Sequence, residues 1–201
     1  MNQEQAWALQ AQQGSEEAFT RLVEAYQKPV YNLCYRMLGE PEAAEDAAQE
    51  TFLRAFQHLH RYDRKRPFAT WLLSIAAHYC IDRLRRRKFS MVSIDDDGDG
   101  DDNGFELPDA HAPNPEVELA RHEERERVHT LLKHLDATDR AAIVLRYWHD
   151  ASEAEIAESL HLTVSAVKSR LHRARRQLSS LWQEESPRTK PARRTHESPA
   201  F

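Results

Sequence analysis

Glycine is scarce in this chain, with five among 201 residues, and cysteine scarcer, with two. Little glycine and no strand-like alternation of apolar and polar residues argue against a β fold and for helices. Cys34 and Cys80 are isolated, each inside an apolar helical pattern, so they read as small buried hydrophobes and not as a disulfide or a metal pair. The eleven histidines are scattered without paired ligand spacing, which removes the commonest metal centre and leaves no cofactor to expect. Long apolar runs are also missing. The longest uncharged stretch, Phe68 to Ile81, is too short to span a bilayer, and MNQEQAWALQAQQGSEE lacks the cationic start and apolar run of a secretion signal. A cytoplasmic chain without membrane insertion is expected. Nor is there a nucleophile–base pair or a metal cluster on an ordered segment, so no catalytic residue is assigned.

What is present suits an all-α protein, because 40% hydrophobic residues can fill one modest core or two small ones. Composition divides it into four parts. Residues 1–89 are apolar-periodic, and residues 90–118 are acid-rich, contain Pro108, Pro113 and Pro115, and hold no Lys or Arg, which marks a flexible linker. A second periodic block covers 119–185, and SPRTKPARRTHESPAF, 186–201, reads as a disordered basic tail. Within the linker, Asp95 to Glu106 satisfies the pattern of a calcium loop, with Gly100 at its sixth position. Asp102 stands where such loops bury an apolar residue and Pro108 blocks an exiting helix, so the acidic-linker reading is preferred and no metal is assigned.

The second block carries clear helix punctuation. Ser152-Glu153-Ala154-Glu155 is a capping box that starts a short helix at Glu153, and Thr163 caps the next after a break at His161-Leu162. In that next helix Val164, Val167, Leu171, Ala174 and Leu178 form one narrow apolar stripe. Ser165, Ser169, His172, Arg173 and Arg176 face the other way, with Lys168, Arg170 and Arg175 on the flanks and no acid among them. Solvated helices usually mix charge signs, whereas short hydroxyls ringed by cations let a helix approach base edges while Arg and Lys reach phosphates. This is a helix-turn-helix arrangement. A formal charge of −5 is no objection, since acids on a linker lie beyond the screened reach of this face.

The first block supplies further faces. Phe19, Leu22, Val23 and Tyr26 align after Ser15, Pro29 is expected to restart the chain, and Val30, Leu33, Cys34, Met37 and Leu38 follow as a second helix ending at Gly39. A third helix from Pro41 packs Ala44, Ala48, Phe52, Ala55 and Leu59, and leaves Glu45, Asp46, Gln49 and Glu50 as an acidic and amide patch, either a solvated face or a docking site. The loop HRYDRKRPF then leads into FATWLLSIAAHYCIDRLRRRK, which interleaves rings and cations as single-stranded nucleic acid requires, although the rings equally suit a core.

AEDAAQETFLRAF, FATWLLSIAAHYCIDRLRRR and EIAESLHLTVSAVKSRLHRARRQL, in this order around an acidic linker, resemble the two domains of an extracytoplasmic-function sigma factor of bacterial RNA polymerase, across about residues 15–182. The resemblance implies two small helical domains, the C-terminal one a helix-turn-helix. Its implied partners are the core polymerase, promoter DNA and an anti-sigma factor, in a stress or envelope response. Core polymerase would be met by Asp46, Gln49, Glu50 and Phe52. The melted promoter strand would be held by Arg61, Arg64, Lys65, Arg66, Phe68, Trp71, Arg83 and Arg86. The upstream element would be read by Ser165, Lys168, Ser169, Arg170, His172, Arg173, Arg175 and Arg176. The alternative is a free-standing helix-turn-helix regulator, which leaves the acidic patch and the aromatic loop unexplained. His78, Asp136 and the pair Ser165-Ala166 depart from the family pattern.

Overall fold

The computed structural model describes residues 3–93, 124 and 126–185, and every regular element among them is helical. The linker read as 90–118 begins too early, since residues 90–93 are still helical and end the helix Phe68–Ser93, while its remainder, Asp95 to Glu106 included, and the tail from 186 lie outside the described residues. The first helix is α1 (Gln3–Gln12), an element that the sequence pattern alone does not mark. Helix α2 (Glu16–Leu38) starts at Ser15, whose hydroxyl accepts from the Ala18 amide at 3.2 Å, and stops at Gly39. That glycine has φ of +91°, the left-handed region where a side chain is costly.

Pro29 does not restart the chain as expected. Helix α2 passes through it unbroken, because the carbonyl that loses its amide partner belongs to Ala25 on the exposed side. Tyr26, Val30 and Leu33, buried around the proline, hold both halves to one core. Pro41 then occupies the first turn of α3 (Pro41–His58), where a missing amide costs nothing. Ala44, Ala47 and Ala55 are fully buried in α3, and such short side chains let it lie close against α2 and α4 (Phe68–Ser93). Cys34 and Cys80 are free thiols buried in this bundle. Their mutual hydrogen bond and their burial hold the Cys80 thiol well above its ordinary pKa, which makes it an inert core residue.

The second group comprises α5 (126–133), α6 (Ala137–Trp148), α7 (Glu153–Ser159) and α8 (Val164–Glu185). Asp136, one of the departures noted above, caps α6 by accepting from the Thr138 amide at 2.9 Å. The two groups share one continuous core. At the seam Arg140 of α6, only 6% exposed, donates to the Met37 carbonyl at the end of α2 (2.5 Å) and to the Lys133 carbonyl at the end of α5 (3.0 Å). Gly39 lies so close to His129 that a Cβ would come within 2.5 Å of its ring. Beside it the Arg36 guanidinium lies 4.8 Å over the Trp148 ring.

His149, next to Trp148, is held neutral to about pH 4, first by burial and then by the charge of Arg36. Its Nε2 is buried and finds no hydrogen-bond partner among the described residues. An unfolded histidine takes its proton near pH 6.5, so between 6.5 and 4 the unfolded chain binds a proton that the folded chain refuses. Stability should therefore fall as pH drops through that window, by an amount on the order of 2–3 kcal/mol, and this contribution should be flat above pH 7. Urea unfolding of His149→Gln against pH should show a shallower acid slope than the parent.

Candidate nucleic-acid interface

Three surfaces meet the residues singled out by sequence. In the first, the capping box forms as read. The Ser152 hydroxyl accepts from the Glu155 amide at 3.2 Å, and the Glu155 carboxylate accepts from the Ser152 amide at 2.8 Å. Those bonds from Ser152 hold the Glu155 carboxyl below its ordinary pKa. The turn is closed by His161 at φ +53°, and the Thr163 hydroxyl accepts from the Ala166 amide at 3.1 Å to start α8. Val167, Leu171 and Ala174 are buried, with α8 against α6 and α7. Val164 is not part of that stripe as expected. It is 42% exposed, since the first turn of α8 projects past the helices that cover the rest.

On the opposite face Ser165, Lys168, Ser169, His172, Arg173, Arg175 and Arg176 are all exposed. The Arg175 Nε donates to the Leu171 carbonyl at 3.1 Å, and Lys168 lies 3.7 Å from Glu153. Arg170 is different. It is half-buried and ion-paired to Asp139 at 2.5 Å, so it fastens α8 to α6 and is not free to meet a phosphate.

The second surface lies on α3. Asp46 and Gln49 are exposed, Asp46 is 3.7 Å from Arg83, and the half-exposed Glu50 is paired with Arg54 at 2.7 Å. Phe52 is half-buried and packs on the core, so it is a poor docking residue. The apolar partners of the patch are instead Leu53 and Phe56, 52% and 54% exposed, with Phe56 edge-on to Phe19 at 5.0 Å between centroids. The signal for them was in the sequence, since Gln49, Leu53 and Phe56 fall on one face at helical spacing.

The third surface is the loop before α4, which leaves a 3-10 turn at Leu59–Arg61. The loop is braced by α1. Gln12 donates to the Leu59 and Tyr62 carbonyls, each at 2.9 Å, and accepts from Arg64 at 3.2 Å. Tyr62 is buried and donates to the Arg66 carbonyl at 2.6 Å, closing the loop on itself. Arg61, Arg64, Lys65 and Arg66 are left exposed. Phe68 contradicts the expectation of a base-stacking ring. It is 2% exposed and wedged against Tyr26, Tyr62 and Trp71, which makes it the keystone of the loop. Trp71 is half-buried, Arg83 is half-buried and Arg86 exposed. His78 bonds the Ser74 carbonyl through Nδ1 at 2.8 Å, and its ring lies 4.9 Å from that of His161. No group of three or more His, Cys, Asp or Glu that could hold a metal ion occurs among the described residues.

Known proteins share this layout. Sigma-70 region 2 matches residues 22–90 and sigma-70 region 4 matches residues 125–178. The ECF RNA polymerase sigma factor SigW of Bacillus subtilis (strain 168) is 36% identical over 171 residues, 84% of this chain and 91% of that one. The chain belongs to the ECF sigma factors. The RNA polymerase sigma factor CnrH of Cupriavidus metallidurans is 35% identical over 177 residues, 87% of this chain and 91% of its own. The solved structure of CnrH in complex with the cytosolic domain of CnrY matches with a TM-score of 0.65 and 30% identity, covering 92% of this chain and 100% of that one. This sigma factor therefore acts with RNA polymerase in transcription initiation, and sigma factors are not enzymes. No helix among its described residues is long and apolar enough to cross a membrane.

The contrast within α8 of this sigma factor gives a stability test. Val167→Ala removes buried methyls and should cost about 1–3 kcal/mol, Thr163→Ala removes a cap and should cost about 1 kcal/mol, and Val164→Ala should stay within about 0.5 kcal/mol. Thermal unfolding of the three variants checks the order.

Proposed function

We propose that the three surfaces divide the work of promoter use. Residues 1–89 dock core polymerase and hold the melted strand, 119–185 read the upstream element, and 90–118 link them. Docking uses Asp46, Gln49 and Glu50, with Leu53 and Phe56 as apolar anchors and Phe52 as support from below. The strand is held by Arg61, Arg64, Lys65 and Arg66 around Trp71, with Arg83 and Arg86 along α4 and Phe68 fixing the loop. Upstream DNA is read by Ser165, Lys168, Ser169, His172, Arg173, Arg175 and Arg176, while Arg170 orients the helix. The observation that carries this reading is the exposed face of α8, which sets small hydroxyls among cations with no acid, directly opposite a buried stripe.

CnrH was solved in complex with the cytosolic domain of CnrY, which supports an anti-sigma partner for this chain too; a stress or envelope response run in the cytoplasm is the use that the family resemblance suggests. The deciding experiment is run-off transcription of fragmented genomic DNA by purified core polymerase, with and without the chain. A defined set of new transcripts is expected. Promoter-independent binding without any transcript would favour the free-standing regulator.

Two variant sets follow. Asp46→Lys with Leu53→Asp changes exposed positions, so folding should survive, whereas affinity for core polymerase should fall by about 2–4 kcal/mol in a fluorescence competition assay. On α8, Arg176→Ala should lose about 1–3 kcal/mol and relax preference at one base pair, while Arg175→Ala should weaken all sequences alike and lower the salt slope by about one. Selection from a promoter library with each variant separates the two outcomes.

A further inference from the structure

His78 on α4 and His161 in the turn before α8 line one cavity of about 350 Å³, and their rings lie 4.9 Å apart between centroids. The two residues are far apart in the chain and belong to different helical groups, so no spacing along the sequence marks them as a pair. His78 also departs from the family pattern, and neither polymerase docking nor DNA reading uses it. His161 has a left-handed backbone, φ +53°, in the turn that brings its ring to α4.

The ring of His78 is fixed by its own helix. Its Nδ1 lies 2.8 Å from the Ser74 carbonyl, and a carbonyl only accepts, so Nδ1 carries the proton and Nε2 of the neutral ring keeps its lone pair. Metal-binding histidines are held in this manner, one nitrogen donating to a carbonyl while the other faces the ion. The ring separation agrees. A divalent ion about 2.0–2.1 Å from each ring nitrogen stands roughly 3 Å from each ring centre, which sets two imidazoles on one tetrahedral ion roughly 5 Å apart. Arg54 and Arg66 line the same cavity, but each is already neutralised, Arg54 by Glu50 at 2.7 Å and Arg66 by Glu158 at 2.6 Å. A second ring pair, His58 and His60, is 6.4 Å apart on an exposed turn and would have to rearrange to share an ion.

We propose that His78 and His161 form a two-imidazole site for a borderline divalent transition ion, zinc, nickel or copper, with water completing its coordination. Imidazole suits these ions, whereas calcium and magnesium take oxygen ligands. Two protein ligands make an exchangeable site, unlike the closed four-ligand centres that fold small domains. One ligand comes from each helical group, so the ion fastens the turn before α8 to the middle of α4. The stability of the chain then follows the supply of metal.

The test titrates the full chain with zinc, nickel and copper salts by calorimetry, and follows copper by electron paramagnetic resonance. His78→Asn and His161→Asn each remove one ligand, and asparagine tolerates the left-handed backbone at position 161. Each should weaken binding about tenfold or more, at least as much as loss of an outer-shell partner costs a metal site. His60→Gln should leave affinity unchanged. Bound copper should show nitrogen coupling from two imidazoles in the parent and from fewer in either variant. Excess calcium, which prefers carboxylates such as those between Asp95 and Glu106, should not displace zinc. Zinc should raise the thermal midpoint of the parent and not that of the double variant.

Equal affinity in the parent and both single variants would overturn the site, as would failure of all three ions to bind, which leaves the two rings as a packing contact only. Loss of binding in His60→Gln with none in His78→Asn would move the ion to the 58–60 turn and overturn the pair equally. Should His161→Asn lose helicity by circular dichroism, His78→Asn makes the same test alone, through its affinity and its copper spectrum.

Discussion

One buried cation organises the seam between the two helical groups. Arg140 is withdrawn from water and its guanidinium is shared between the carbonyl ends of α2 and α5, where unpaired C=O groups and the negative ends of two helices converge. Each such bond to a charged donor contributes about 1.5–3 kcal/mol when formed, and leaving the guanidinium buried without them would cost more. The positions around it follow from that constraint. Helix α2 must end where Met37 can face Arg140, and Gly39 then turns the chain with no Cβ, because the His129 ring fills that space. One residue before Arg140 in sequence, Asp139 holds Arg170, so the element that joins the two groups also sets α8 on its bed.

Charge is distributed by that same framework. The chain is acidic overall, yet the cations of α8 are turned outward on the face opposite Val167, Leu171 and Ala174, and the acids of α7 are engaged one by one, Glu155 in the Ser152 cap, Glu153 with Lys168 and Glu158 with Arg66. A carboxylate engaged in a cap or an ion pair is no longer a free repellent to DNA, which explains how one helix-turn-helix carries Glu153, Glu155 and Glu158 beside a basic face. Arg170 marks the boundary. It has the same chemistry as Arg173 and Arg176, but its position toward α6 turns it from a candidate reader into a fastener.

Local physics made much of this legible in advance. The Ser152–Glu155 box, the Thr163 cap and the Gly39 stop depend on residues within four positions of one another, and each formed as the sequence indicated. What escaped depends on residues far apart. Pro29 reads as a break until the exposure of Ala25 shows that its freed carbonyl faces water. Phe68 reads as a free ring until Tyr26 and Tyr62, from another helix and from the loop, close around it. Asp136 looks like a departure from pattern until its carboxylate is seen accepting from the Thr138 amide. Leu53 and Phe56 are a different case, because their spacing from Gln49 is readable, yet the alanine stripe is the stronger periodic signal in the same segment. The linker between the halves carries strong compositional signal, but its acids and prolines say nothing about which helix faces which.

The two contacts that hold the halves together differ in strength, and the difference bears on how the molecule can move. Along α2 and α6 the seam is dry, with Arg140 buried and apolar residues continuous across it. Along α4 and α7 it is wet, with an ion pair exposed to solvent, a long hydroxyl contact and two imidazole rings. Exposed ion pairs contribute about 0–1 kcal/mol, so the α4–α7 side sums to little against the buried side. An applied load therefore opens the wet side first. On the proposed roles, polymerase docked on Leu53 and Phe56 would grip α3, and a DNA duplex would grip α8 in the other group. Two large partners pulling on opposite groups would need only to exceed the weaker contact to part α4 from α7, while Arg140 keeps the helix ends in register until the stronger one yields.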